Sequence, residues 1–145
     1  MERYSRDRNV EKVMTRVLVP VRYPPSEHSR RTLAAALDIA EERDASLTVL
    51  HVDPYHWDSH VSRGDLRRAV EREFGRLSRT RYVVREGFLV EETILDEIVA
   101  TGADVVVVGS KQASRWRRAL RRVLSGPDVE AYLREEADCE LVTVD

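Results

Sequence analysis

Four consecutive valines, Val105 to Val108, lie between Gly102 and the pair Gly109-Ser110, and they set the tightest limit on how this chain can fold. A run of β-branched residues with no polar alternation reads as a strand buried on both faces, the habit of a parallel sheet covered by helices on each side. Gly102 is a helix-stop residue, and Gly109 marks a point where backbone can approach a ligand closely. Strand ends of this kind are where open α/β sheets bind their ligands.

The rest of the sequence supplies the partners of that strand. Residues 1 to 14 are polar and arginine-rich and read as an extension, and residues 15 to 145 read as one domain. Thr15-Arg-Val-Leu-Val-Pro-Val21 is a short β-rich run whose proline marks the exit from the sheet. The turn Pro24-Pro25-Ser26 follows, and Leu33, Ala36, Leu37 and Ala40 then share one helical face. Ser46 to Val52 predicts a second strand, and Ser62 with Asp65 opens a capped helix striped by Leu66, Ala69, Val70, Phe74 and Leu77. Glu73 interrupts that stripe without a sequence explanation. Tyr82-Val-Val-Arg85 predicts a short edge strand, and Val90, Ile94, Leu95 and Ile98 mark a third helix ending at Gly102. A helix at about residues 127 to 137 and a strand over Cys139 to Asp145 complete five strands and at least four helices. Their alternation implies a three-layer α/β sandwich with a parallel sheet joined by right-handed crossovers.

Composition narrows function mainly by exclusion. The 145 residues carry a net charge of only -2, so no global field steers the molecule to nucleic acid or membrane. A single cysteine, Cys139, excludes an internal disulfide and fits a buried strand as a small apolar residue better than as a nucleophile. No apolar amino-terminal stretch is present, and the expected compartment is the cytoplasm. The sequence shows no Ser-His-Asp spacing and no P-loop lysine, so nothing in it supports catalysis.

Three local patterns stand out. His51, His56 and His60, interleaved with Asp53 and Asp58, have a spacing that could supply two or three ligands to a divalent metal. An aromatic, polar loop needs no metal to exist, and no metal site is assigned from sequence. Arg67, Arg68, Arg72, Arg76, Arg79 and Arg81 read as a solvated basic face balanced by Asp65, Glu71 and Glu73. Between Lys111 and Arg122 lie six positive charges and no negative one, and residues 115 to 124 predict a short amphipathic helix. On that helix Trp116, Ala119, Leu120, Val123 and Leu124 fall on one side. Its arginines Arg117, Arg118, Arg121 and Arg122, with Arg22 below, then form a candidate anion-binding face, with the apolar side packed as a lid over the strand ends. The alternative is that these arginines pair with the acidic stretch from Asp128 to Glu140.

Six segments, taken together and in order, resemble the universal stress protein domain. They are Val17-Leu-Val-Pro-Val21, Glu27-His-Ser-Arg-Arg-Thr-Leu33, Leu47-Thr-Val-Leu-His-Val52, Arg85-Glu-Gly87, Ala103 to Ser110, and Ala137 to Val144. The resemblance spans Thr15 to Asp145 and implies a Rossmann-like sheet of order 3-2-1-4-5 with a crevice between strands one and four. It also implies a homodimer formed by antiparallel pairing of the last strand, through Leu141, Val142, Thr143 and Val144.

Many members of that family bind ATP through a glycine-rich loop after strand four, whose backbone N–H groups face the phosphates. The positions that match such a site here are Pro20, Val21, Arg22, Val52, Gly109, Gln112, Ser125 and Gly126. Gln112 replaces the second glycine, thirteen residues separate it from Gly126, and Ser125 precedes that glycine instead of following it. Pro127 removes an N–H, Asp128 places a carboxylate where phosphate would sit, and Arg22 stands where nucleotide-binding members carry an acid. The expectation is a stress-response or regulatory protein without tight ATP binding and without a cofactor. A nucleotide-binding version, and an anion or nucleic-acid binder using the helix at 115 to 124, are the alternatives.

Overall fold

A computed structural model describes residues 14–54, 60–120 and 129–145. In chain order the described elements are β1 (Arg16–Pro20), α1 (Glu27–Glu42), β2 (Ser46–Pro54), α2 (Arg63–Phe74), β3 (Thr80–Gly87), α3 (Val90–Thr101), β4 (Val105–Gly109), α4 (Ser110–Leu120), α5 (Val129–Glu136) and β5 (Glu140–Val144). The five strands form one sheet of order β3-β2-β1-β4-β5, and every pairing in it is parallel. This is the 3-2-1-4-5 arrangement, with β3 and β5 at the edges.

The valine strand explains the layering. Val106 and Val108 face one side of the sheet, in a core with Leu18, Leu50, Ile94, Ile98, Leu120 and Leu133. Val105 and Val107 face the other, with Val17, Val19, Leu33, Leu47 and Leu66. All four valines are buried because α1 and α2 cover one face while α3, α4 and α5 cover the other. Gly102 caps α3 in the left-handed conformation at φ 66°, which turns the chain directly into β4.

Three sequence expectations change in detail. The edge strand β3 runs over eight residues instead of four, because it follows β2 in register from Leu47↔Thr80 to Pro54↔Gly87. Glu73 leaves the buried stripe of α2 and lies exposed, 3.7 Å from Arg30 of α1. The basic amphipathic helix starts at Ser110, immediately after β4, and not at residue 115. Its Trp116 is fully buried among Leu18, Ile94, Ile98 and Leu133. That placement corrects the expected lid: the apolar face of α4 closes the core on the side of the sheet and does not cover the strand ends. A Trp that can bury its whole ring in an aliphatic core gains far more there than at a solvent-facing crevice.

Candidate functional site

The chain leaves β1 at Pro20, and Val21 N–H still reaches Leu50 O at 2.8 Å, so the exit is held against β2. Arg22 N–H then donates to Ser29 Oγ at 3.1 Å, tying the loop to the first turn of α1. Ser26 caps that helix by accepting from Ser29 N–H at 3.1 Å. On the neighbouring strand, β4 ends at Gly109 and passes without a loop into α4. The first turns of α1 and α4 therefore flank one opening at the carboxyl ends of β1 and β4, where their positive dipole ends reinforce each other.

Two adjoining cavities occupy this opening. One, of about 390 Å³, lies among Arg22, Ser26, His28, Gly109, Lys111 and Arg115. The other, of about 290 Å³, lies among Tyr23, His51, Val52, Val90, Glu91 and Ile94. Pro20, Arg22, Gln112 and Arg115 line both and form the ridge between them. Among the described residues no carboxylate forms an ion pair with Arg22, Lys111 or Arg115. Asp145 is the acidic residue of the first cavity's wall and Glu91 that of the second.

Of the residues matched to a nucleotide site, Pro20, Val21, Arg22, Val52, Gly109 and Gln112 are brought together here. Ser125 and Gly126 lie outside the described residues, as do Pro127 and Asp128. A Cβ on Gly109 would make only ordinary contacts, 3.5 Å from Thr32 Oγ1 and 3.8 Å from Val144 O, so protein packing does not require glycine at that position.

Of the four arginines expected to bind an anion, the two that are described lie away from the crevice. Arg117 donates from Nε and NH2 to the two carboxylate oxygens of Glu130 at 3.1 and 3.0 Å, the pairing with the acidic stretch that was the alternative. Arg118 is exposed and lines neither cavity. Arg121 and Arg122 lie outside the described residues. Arg22, expected beneath the helix, does line the crevice, and the other cations there are Lys111 and Arg115, which sit one turn apart at the start of α4.

The histidines also part company. His51 is a buried β2 residue whose Nδ1–H donates to Val21 O at 3.1 Å, a structural role. His60 contacts Asp53 and Glu86 instead, and His56 and Asp58 lie outside the described residues. Cys139 is buried, with its thiol pushed up to about 12, chiefly by burial and then by the nearby Asp104 and Glu140 carboxylates. It is a core residue and not a nucleophile.

A doubly wound parallel sheet with a crevice at its switch point defines the class, a Rossmann-like α/β protein. Within that class, the model of the universal stress protein family matches residues 14–145, and the chain belongs to that family. Among solved structures, the universal stress protein UspA from Lactobacillus plantarum is 18% identical, with 93% of this chain and 100% of that chain covered at a TM-score of 0.58. A universal stress protein in complex with cAMP is 16% identical, covering 92% and 99% at a TM-score of 0.59. A family member from Burkholderia pseudomallei is 19% identical, covering 90% and 96% at a TM-score of 0.59. No curated protein matches the sequence. Among the described residues no helix is long and apolar enough to cross a membrane.

Proposed function

We propose that this protein is a cytoplasmic stress-response regulator that binds a small phosphorylated ligand of the mononucleotide class and does not hold ATP tightly. The observation that carries this reading is the convergence of Arg22, Lys111 and Arg115, without carboxylate partners among the described residues, on the ridge and cationic side of a divided crevice. One phosphate fits between these cations and the first turns of α1 and α4. The cavity beside Tyr23, Val52 and Ile94 suits a flat base. Gln112 puts a side chain where a triphosphate loop needs bare backbone, which disfavours ATP. The structural neighbour in complex with cAMP shows that a universal stress protein can take a nucleotide with a single phosphate.

Isothermal titration of cAMP, AMP and ATP tests the reading. Binding of a monophosphate nucleotide that weakens in Arg22→Gln and Arg115→Gln, with ATP weaker, supports it. ATP binding in the low micromolar range or tighter overturns it, as does a complete absence of nucleotide binding.

The same reading includes a homodimer through β5. Leu141, Val142 and Val144 are half-buried on an edge strand that carries neither lysine nor proline, and an unpaired edge of this kind is a template for a second copy.

A further inference from the structure

One strand away from the crevice, Asp53 at the end of β2 and Glu86 at the end of β3 are direct register partners in the parallel sheet. Like charges on neighbouring strand positions repel, and Asp53 is only 2% exposed, where an uncompensated carboxylate is costly. Among the described residues its carboxylate accepts one hydrogen bond, from Val61 N–H to Oδ2 at 3.1 Å. A carboxylate can accept about four. His60, entering from the loop before α2, brings Nδ1 to 3.6 Å from Asp53 Oδ2 and 3.3 Å from Glu86 Oε2. One N–H cannot serve both oxygens, and no hydrogen bond joins the three side chains.

We propose that Asp53, His60 and Glu86 form a binding site for a divalent transition-metal cation of the zinc class. The three ligand atoms lie within 4.8 Å of one another. Zinc bonds to nitrogen and carboxylate oxygen measure about 2.0 to 2.2 Å, so the edge of a tetrahedral site is roughly 3.4 Å. The two separations at His60 bracket that edge. A cation at the centre also removes the repulsion between the two carboxylates and fills the accepting capacity that Asp53 leaves unused. The imidazole and the small ligand count favour a borderline transition metal over Mg²⁺ or Ca²⁺, which need more oxygens. Three protein ligands leave a fourth position open to water or an exogenous ligand. Asp53 and Glu86 line a cavity of about 490 Å³ that Arg63, Arg81 and Arg85 also border. The site is independent of the crevice and of what binds there.

The test uses the full-length protein stripped with EDTA and titrated with Zn²⁺ by calorimetry, and with Co²⁺ by visible absorption. His60 and Glu86 have side chains 60% and 48% exposed, so His60→Gln and Glu86→Gln keep the fold, whereas Asp53 is too buried to be a clean first variant. Expected are one saturable Zn²⁺ site, the intense d–d bands of four-coordinate Co²⁺, and a loss of affinity of about tenfold or more in each variant. His28→Gln, on α1, controls for adventitious histidine binding and retains wild-type affinity. Zn²⁺ should also raise the melting temperature of the wild type and not that of His60→Gln. No saturable binding by the wild type, or equal affinity in His60→Gln and Glu86→Gln, overturns the proposal.

Discussion

Arg117 of α4 and Glu130 of α5 meet side-on, two guanidinium nitrogens against two carboxylate oxygens at 3.1 and 3.0 Å, and so join the helices on either side of residues 121–128. Both side chains are about one-third exposed, so solvent screens the pair, and Arg117→Gln should cost no more than about 1 kcal/mol. It should leave anion binding unchanged. Arg115→Gln, two positions earlier, should do the opposite, lowering nucleotide affinity without shifting the urea midpoint. Parallel calorimetry and urea denaturation of the two variants check this, and equal effects on binding would place the anion site on the wrong face of α4.

Trp116 gives the second expectation. Because the side chain is fully buried in the core, Trp116→Ala should destabilise by about 3–5 kcal/mol. Among the described residues its Nε1 has no hydrogen-bond partner, so Trp116→Phe, which removes that donor along with some volume, should cost less than about 2 kcal/mol. Equilibrium unfolding ranks the two; a nearly neutral Trp116→Ala would mean that the ring is not in the core.

At Gly87 the end of β3 passes so close to α3 that a Cβ would collide with Thr93 Oγ1 and sit 3.2 Å from its Cβ. Gly87→Ala should therefore cost about 1–3 kcal/mol, and Thr93→Ala should relieve part of that loss in the double variant. Additive effects in a double-mutant cycle would show that the two positions do not touch.

Cys139 makes a prediction in pH. The unfolded thiol ionises near its ordinary value of about 8.5, whereas the folded one is held up to about 12. Above about 8.5 the unfolded state binds fewer protons than the native one, so this contribution to stability is complete below that pH and declines as pH rises toward 12. Cys139→Ala should flatten the alkaline part of the stability profile. In the native wild type the thiol should resist thiol-specific labelling until the protein unfolds.

Dimerisation through β5 is checked by light scattering at micromolar concentration. Val142→Pro removes a ladder donor from the edge and should convert a dimer to a monomer. A wild type that is monomeric under those conditions removes the edge-pairing reading.

The elements of the fold were legible because each is written in local pattern: the valine run, Gly102 as a stop, and Ser62 with Asp65 as a cap. The capping box is present, and its hydrogen bonds from Ser62 hold the Asp65 carboxyl below its ordinary range. What local pattern cannot carry is register and the phase of a helix. Asp53 and Glu86 look unrelated until β2 and β3 are aligned residue by residue, after which their adjacency follows. Lys111 and Arg115 were visible as charges, yet their place at the crevice depends on α4 starting at Ser110, and a glutamine in a glycine position does not announce that. Glu97 is another case. It is buried on α3 only because Arg85 reaches it from β3 at 2.9 Å, a contact between elements that neither sequence segment signals alone.

The pairing of β1 with β4 is the sheet's least local seam. It has two register pairs where β1 and β2 have five, and it is fastened at its base by Arg16 N–H to the Asp104 carboxylate across 88 positions. The crevice opens directly above that seam, with Arg22 on one bank and Lys111 and Arg115 on the other. Any ligand gripping both banks acts as a clasp between two parts of the chain made far apart in time. At a hundred times its dissociation constant it would add about 2.7 kcal/mol against their separation. A nascent chain that has not yet extended past β4 has only one bank, so responsiveness to the ligand requires that β1 and α4 have both been made and brought together.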